Sequence, residues 1–327
     1  MLLLTGAAGF VGANLVARLN EAGRTDLILC DDLGSEGKWR NLQKREFHDF
    51  VPIARLGSFL STKPQLSTVF HLGANSSTIA INGDELMERN FACSVMLWEF
   101  CTRQGIPLIY ASSAATYGGG ERGFVDEDSP AFLATLRPLN LYGWSKHAFD
   151  RRAARDVAEG RPTPPRWYGL KFFNVYGPNE YHKTGMHSAV LTFTEAVLAG
   201  GPARFFGSDR PDIPDGAQSR DFVFVDDICD VMLWMQSVAP PSGLYNLGSG
   251  RARSFADLAH AVFAALGQEP RVEYVPMPET LQVGYQYWTE AHLGKLRRAG
   301  YNAPMTSLEE GVARYVRGFL TTHERYR

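Results

Sequence analysis

The chain has 327 residues, 45% of them hydrophobic, 21% charged and 12% aromatic, with 33 Lys+Arg against 35 Asp+Glu. That is about two domains' worth of chain, and the composition excludes disorder, collagen-like repetition and a small disulfide scaffold. The charge balance leaves no global positive field for nucleic acid or an anionic membrane, and no apolar run reaches the ~18 residues of a membrane-spanning helix.

In chain order, a leucine strand at 2–4 runs directly into Thr5-Gly6-Ala7-Ala8-Gly9-Phe10-Val11-Gly12 and then a predicted helix at 10–22. This is a G-x-x-G-x-x-G loop in a strand-turn-helix setting. Gly6 allows the tight turn, Gly9 lets backbone approach a pyrophosphate, and Gly12 lets the helix pack on the sheet. The helix start offers unpaired N–H groups and the positive end of its dipole to phosphates. Phe10 and Val11 lie in the same loop and join the expected dinucleotide contacts.

A second strand at 27–30 leads to Asp31 and Asp32, about twenty residues past the loop, where a carboxylate can accept from an adenosine ribose. A carboxylate there favours NAD, whereas Lys38 and Arg40 could neutralise a 2′-phosphate and favour NADP. Both readings stay open. Further strands are predicted at 68–71, 108–110 and 167–172, with helices at 84–104 and 139–158, the alternation of βαβ units. Right-handed crossovers would assemble them into an open, doubly wound parallel sheet.

The strand at 108–110 ends in Ala111-Ser112-Ser113, which puts Ser113 where its hydroxyl can bond a reacting oxygen. Tyr142 and Lys146, four apart in a predicted helix, share one face. An adjacent ammonium is expected to pull the phenol below its ordinary pKa of about 10, as a general acid/base requires.

Beyond residue 174 come polar turns at 174–185 and a proline-rich loop at 209–219. Residues 221–225 read as a strand returning to the large sheet, followed by a helix at 226–237. Strands at 244–247 and 272–275 and helices at 254–266, 290–298 and 307–320 complete the chain. Trp98, Trp144 and Trp234 fall at helical spacing and are expected in the core. The four cysteines, Cys30, Cys93, Cys101 and Cys229, read as reduced core thiols, and neither they nor the eight histidines form a metal-ligand cluster. Asp209, Asp212 and Asp215 have the wrong spacing for a calcium loop, so no metal is expected. Met1 to Gly6 lacks the features of a secretory signal, which makes the cytoplasm the default location.

The fold class is therefore α/β: a Rossmann-type doubly wound parallel sheet with a smaller mixed α/β carboxy-terminal substrate domain. Residues 1–173, 221–247 and 286–292 are assigned to the dinucleotide-binding domain, and 174–220, 248–285 and 293–327 to the substrate-binding domain.

With these segments the chain resembles the extended short-chain dehydrogenase/reductase family, which contains nucleotide-sugar epimerases and dehydratases. The matching residues are the glycine loop, Phe70-His71-Leu72-Gly73-Ala74, the serine strand end, Tyr142 and Lys146, and Phe173-Asn174-Val175-Tyr176-Gly177-Pro178. Arg220-Asp221-Phe222-Val223-Phe224-Val225 and Tyr245-Asn246-Leu247-Gly248-Ser249-Gly250 extend the resemblance along nearly the whole chain. Pro138 to Lys146 and His182-Lys183-Thr184-Gly185-Met186 are most similar to the family's epimerases of a heptose nucleotide.

The resemblance implies a bound cofactor, usually NADP with NAD as the alternative, and a nucleotide-sugar substrate. It implies that Tyr142 and Lys183 serve as two acid/base groups, with Ser113 and Lys146 beside them. The implied cofactor contacts include Leu72, Gly73, Ala74, Asn90 and Val175. The implied substrate contacts are Ser113, Asn174, Lys183, Phe205, Phe206, Gly207, Ser208, Arg220 and Tyr285. A homo-oligomer is also implied. This chain departs from the family at Leu72, commonly glutamate or glutamine, at Asp32, commonly asparagine, and at Gly185, often serine. Ala114 and Ala115 stand where a dehydratase would carry Asp-Glu. The competing readings are a hexose nucleotide 4-epimerase and a dinucleotide sensor without turnover.

Overall fold

The computed structural model describes residues 1–183, 185–278 and 285–327. Thr184, which belongs to the His182–Met186 motif, and residues 279–284 lie outside the described residues. Seven parallel strands form one sheet in the order β10-β6-β5-β4-β1-β2-β3. They are β1 (Leu2–Thr5), β2 (Leu27–Asp31), β3 (Asp49–Pro52), β4 (Thr68–His71), β5 (Leu108–Ser113), β6 (Trp167–Phe172) and β10 (Gly243–Leu247). The inner strands are buried on both faces, which is why they read as unbroken apolar runs. After β3 the chain crosses back to lay β4 against β1, and the crevice at this reversal is where an open α/β sheet places its ligand.

Two smaller sheets complete the chain. β11 (Ala252–Ser254), β9 (Ser219–Phe224) and β7 (Asn174–Tyr176) form one, and β12 (Val272–Val275) pairs with β8 (Ala203–Phe206) in the other. Of residues 221–225, expected to rejoin the large sheet, 221–224 lie instead in β9 at the centre of the three-stranded one, and Val225 begins the next helix. The edge of the large sheet is taken by β10, which pairs with β6.

The expected helix at 84–104 is interrupted at Met87–Ala92 by a π-turn, which re-aims the side chains between its two α segments. The expected helix at 290–298 shrinks to Gly294–Arg298, because Ala291 N–H is drawn out of helical register to the Asp221 carboxylate at 2.9 Å. Trp98 is 2% exposed, as a core position should be, but Trp144 is 47% exposed, on the solvent side of the helix Leu141–Ala158. Cys30, Cys101 and Cys229 are buried, and all four thiols are free. No helix among the described residues is long and apolar enough to cross a membrane.

Candidate active site

The glycine loop leaves the end of β1 with Gly6 at φ +69°, a left-handed conformation, and a Cβ there would lie 2.5 Å from the Gly73 nitrogen. A Cβ on Gly12 would fall 2.1 Å from the Gly6 carbonyl oxygen. The loop can close only without side chains at these points. Gly9 donates its N–H to the Gly6 carbonyl at 3.0 Å and caps the helix Phe10–Glu21, whose first turn opens toward the crevice. Gly6, Gly9, Phe10, Val11 and Gly12 line one side of a cleft of about 1050 Å³, and Leu72, Gly73 and Ala74 from the end of β4 line it beside them. A bare backbone cradle at a helix start fits a dinucleotide pyrophosphate.

At the end of β2, Asp31 is 6% exposed and lines the same cleft. Its carboxylate accepts Ala8 N–H at 2.7 Å and Asp32 N–H at 2.7 Å, and it pairs with the Lys38 ammonium at 2.5 Å. Asp32 is exposed and lies 3.8 Å from the Arg89 guanidinium. Glu36 and Arg89 also line this end of the cleft, although no sequence motif marked them.

Tyr142 and Lys146 stand on the helix Leu141–Ala158, which starts where the Asn140 side chain accepts Gly143 N–H at 2.8 Å. Both line the cleft. Lys146 donates to the Ala111 carbonyl at 2.8 Å, and burial draws it down to about 8, against the opposing pull of Asp150. The Tyr142 phenol is pushed up from its ordinary value, chiefly by burial, with a hydrogen bond to Ser113 acting the other way. The sequence expectation of a lowered phenol is thus reversed: desolvation dominates, and the nearby ammonium is aimed at a carbonyl. Ser113 also accepts Ala115 N–H at 3.1 Å and is not among the residues lining the cleft.

Asn90 is fully buried and lies outside the cleft lining. It accepts Asn75 N–H at 2.8 Å and donates to the Asn75 carbonyl at 3.0 Å and to Ser145 Oγ at 2.9 Å; Ser145 in turn donates to the Tyr142 carbonyl at 2.7 Å. The π-turn carrying Asn90 thereby ties Asn75, a lining residue past β4, to the helix of Tyr142. His71 continues this network toward the glycine loop, with Thr5 Oγ1 at 2.7 Å and Ser94 Oγ at 2.9 Å.

Lys183 reaches the cleft from the loop after β7, its ammonium 4.5 Å from the centre of the Phe10 ring. Burial lowers its pKa, and the Glu180 carboxylate opposes that shift. Asn174 and Val175 line the cleft nearby, as do Glu180, His182 and Met186. Sequence reasoning passed over Glu180, although it stands three residues before Lys183 in the same loop.

The remaining predicted substrate contacts lie apart. Phe205 is 7% exposed and packed among Phe193, Phe255 and Tyr274. Phe206 is half-buried at the end of β8, while Gly207 and Ser208 line a separate hollow of about 220 Å³. Arg220 is 7% exposed, with its guanidinium 4.9 Å from the Tyr285 ring and 5.8 Å from that of Phe255, a cleft-lining residue. Arg220 and Asp221, adjacent in sequence, form no ion pair with each other. Asp221 instead accepts N–H groups of Ser249, Gly250 and Ala291. Among the described residues no three His, Cys, Asp or Glu side chains gather as a metal site.

A model of the NAD dependent epimerase/dehydratase family matches residues 2–248. A Fusobacterium nucleatum protein named ADP-L-glycero-D-manno-heptose-6-epimerase is 44% identical over 335 residues, spanning 100% of both chains. Among solved structures, the Helicobacter pylori ADP-L-glycero-D-manno-heptose-6-epimerase matches with a TM-score of 0.79 at 27% identity, covering 97% of this chain and 95% of that one. The Thermus thermophilus UDP-glucose 4-epimerase complexed with NAD matches with a TM-score of 0.74 at 26% identity, covering 97% of each.

Proposed function

The chain belongs to the NAD dependent epimerase/dehydratase family, and from that premise we propose that it inverts C6 of ADP-D-glycero-D-manno-heptose, giving the ADP-L-glycero-D-manno epimer used in lipopolysaccharide core synthesis. The observation that carries this reading is that Tyr142 and Lys183 open on one cleft from separate elements. When bound, the nicotinamide supplies removal of hydride from the sugar carbon and its return to the opposite face. The carbinol oxygen then occupies two positions in turn, and a single proton carrier cannot easily serve both. Tyr142 on its helix and Lys183 on its loop supply a carrier for each.

Ser113 would orient the Tyr142 hydroxyl, on which it acts by lowering its pKa, and Lys146, one helical turn away, would hold the nicotinamide ribose. Gly6, Gly9 and Gly12 would seat the pyrophosphate. Arg220 is buried, with no carboxylate at ion-pair distance among the described residues, and it suits the substrate diphosphate. The smaller sheets with Asn174, Phe205 to Ser208, Arg220 and Tyr285 form the substrate side of the proposal. Between the two cofactor forms, the Asp31–Lys38 pair supports NAD, because a 2′-phosphate would have to displace Asp31 from Lys38 and Asp32 from Arg89. A homo-oligomer in the cytoplasm completes the proposal.

Incubation with ADP-D-glycero-D-manno-heptose, followed by proton NMR at C6, tests the reading. Inversion by the wild type and none by Lys183→Ala is the expected pair of results. Wild-type protein that leaves this substrate unchanged sinks it, and a Lys183→Ala variant that still inverts C4 of a hexose nucleotide points to the 4-epimerase.

A further inference from the structure

Glu180 and Ser188 close the loop that carries Lys183. Glu180 is 1% exposed and sits in the cleft wall. Its carboxylate accepts Ser188 N–H at 2.5 Å and Ser188 Oγ–H at 2.6 Å. Its backbone carbonyl accepts Lys183 N–H at 3.1 Å, and the Lys183 carbonyl accepts Met186 N–H at 2.9 Å. Ser188 is also the N-cap of the helix Ala189–Leu198. The Glu180 side chain therefore ties the start of the loop to the cap of the helix that follows it.

A serine cap needs no carboxylate, since the Ser188 hydroxyl alone accepts Leu191 N–H. Burying a carboxylate is costly unless it is hydrogen-bonded and charge-paired. Ser188 meets the first need, and Lys183, beyond ion-pair distance, acts on the carboxylate through its charge alone.

We propose that Glu180 is the positioning residue for Lys183, holding its loop shut through Ser188 and lending the buried ammonium its counter-charge. The proposal rests on the reading of Lys183 as the second proton carrier. It specifies how that carrier is kept in place.

The groups facing this pair are few. His182 lies on the same loop, and Asp31 at the end of β2 and Lys38 beyond it act on it. Tyr181 and Tyr315, the latter from the helix Leu308–Tyr315, face Glu180. The Phe10 ring lies under the ammonium. Glu180 is the acidic group that opposes the effect of burial on Lys183, and Lys183 in turn holds down a carboxyl that burial pushes up.

The test compares wild type, Glu180→Gln, Ser188→Ala and Lys183→Met. Glu180→Gln keeps the shape and removes the charge, so kcat should fall about 10- to 100-fold with KM nearly unchanged, as expected when a proton carrier is misplaced. The pH limb of kcat should move to lower pH in Glu180→Gln. Ser188→Ala keeps the charge and should lower kcat without moving that limb.

A second readout does not depend on the substrate: the ammonium of Lys183, identified in 15N-lysine NMR spectra by its loss in Lys183→Met, should titrate at lower pH in Glu180→Gln than in wild type. An unmoved NMR midpoint overturns the proposal. So does a kcat profile identical to wild type in an enzyme that converts the heptose substrate. A wild type without epimerase activity but with a shifted NMR midpoint defeats the functional reading and leaves the pairing of Glu180 with Lys183 standing.

Discussion

Lys38 and Asp31 meet at 2.5 Å at the end of β2, where the Asp31 carboxylate also accepts the Ala8 N–H of the glycine loop. The cation nearest the expected adenosine ribose is thus already neutralised, and the carboxylate that neutralises it is rigidly held. Replacing the acid should release the lysine for a phosphate. Asp31→Asn is expected to raise NADP affinity relative to NAD by about tenfold, near the 1.4 kcal/mol expected of one partly exposed charge contact. Titration calorimetry with both dinucleotides checks it, and an unchanged ratio removes Asp31 from the discrimination.

Two glycines separate steric from conformational cost. A Cβ at Gly12 would meet the Gly6 carbonyl oxygen at 2.1 Å, whereas Gly23, at φ +75°, has open space around it. Gly12→Ala should lower stability by about 1–3 kcal/mol through overpacking and weaken dinucleotide binding as the loop shifts. Gly23→Ala should cost about 1 kcal/mol from its left-handed backbone alone and leave binding intact. Thermal unfolding with and without cofactor distinguishes the two.

What was legible in the sequence is what local chemistry dictates. β1, the glycine loop and the helix Phe10–Glu21 are contiguous, so their pattern survives in one dimension. The helix bearing Tyr142 and Lys146 was expected from residue 139 and begins at Leu141, after an Asn140 cap that the pattern reading did not single out. β3 went unseen because, of its four residues, only Val51 is buried. β7 and β11 are three residues long and owe their existence to pairing with β9. Asn90 turned inward because of a π-turn that helical periodicity does not reveal, and Trp144 turned outward on a helix whose buried side is set by neighbouring elements. The direction of the Tyr142 shift was likewise beyond a spacing argument, since it depends on how much water the finished cleft excludes.

Asp150 and Lys171 form a fully buried pair at 2.7 Å, with Asp150 also accepting from Ser112 at 2.7 Å and Tyr110 at 3.1 Å, and Lys171 donating to Thr116 at 2.7 Å. Removing one charge strands the other. Asp150→Asn should therefore cost about 3–5 kcal/mol, while Asp150→Asn combined with Lys171→Met should cost much less than the sum of the single changes. A double-mutant cycle in urea measures the coupling. Because Asp150 also supports the Lys146 charge, Asp150→Asn should move Lys146 below its value of about 8.

His71 makes acid stability a readout of the network beneath the cleft. Burial draws it from 6.5 to about 3, with His147 and His182 each drawn to about 4 by the same cause. In each case the folded protein holds the ring neutral over a range in which the unfolded chain takes up a proton. The unfolded state therefore binds more protons below pH 6.5, and stability falls as pH drops from there until the folded-state values are passed. These rings should lower the unfolding temperature between pH 6.5 and 4, offset in part by Asp126, Glu180, Asp221 and Asp227, whose carboxyls burial pushes up. His71→Gln gives up the titrating ring while keeping a side chain able to bond Thr5 and Ser94, so it should start from a lower neutral stability and decline less steeply, by close to one proton in the slope. Equal slopes for variant and wild type would mean that His71 is already protonated in the fold and that the neutral Thr5–His71–Ser94 bridge is misassigned.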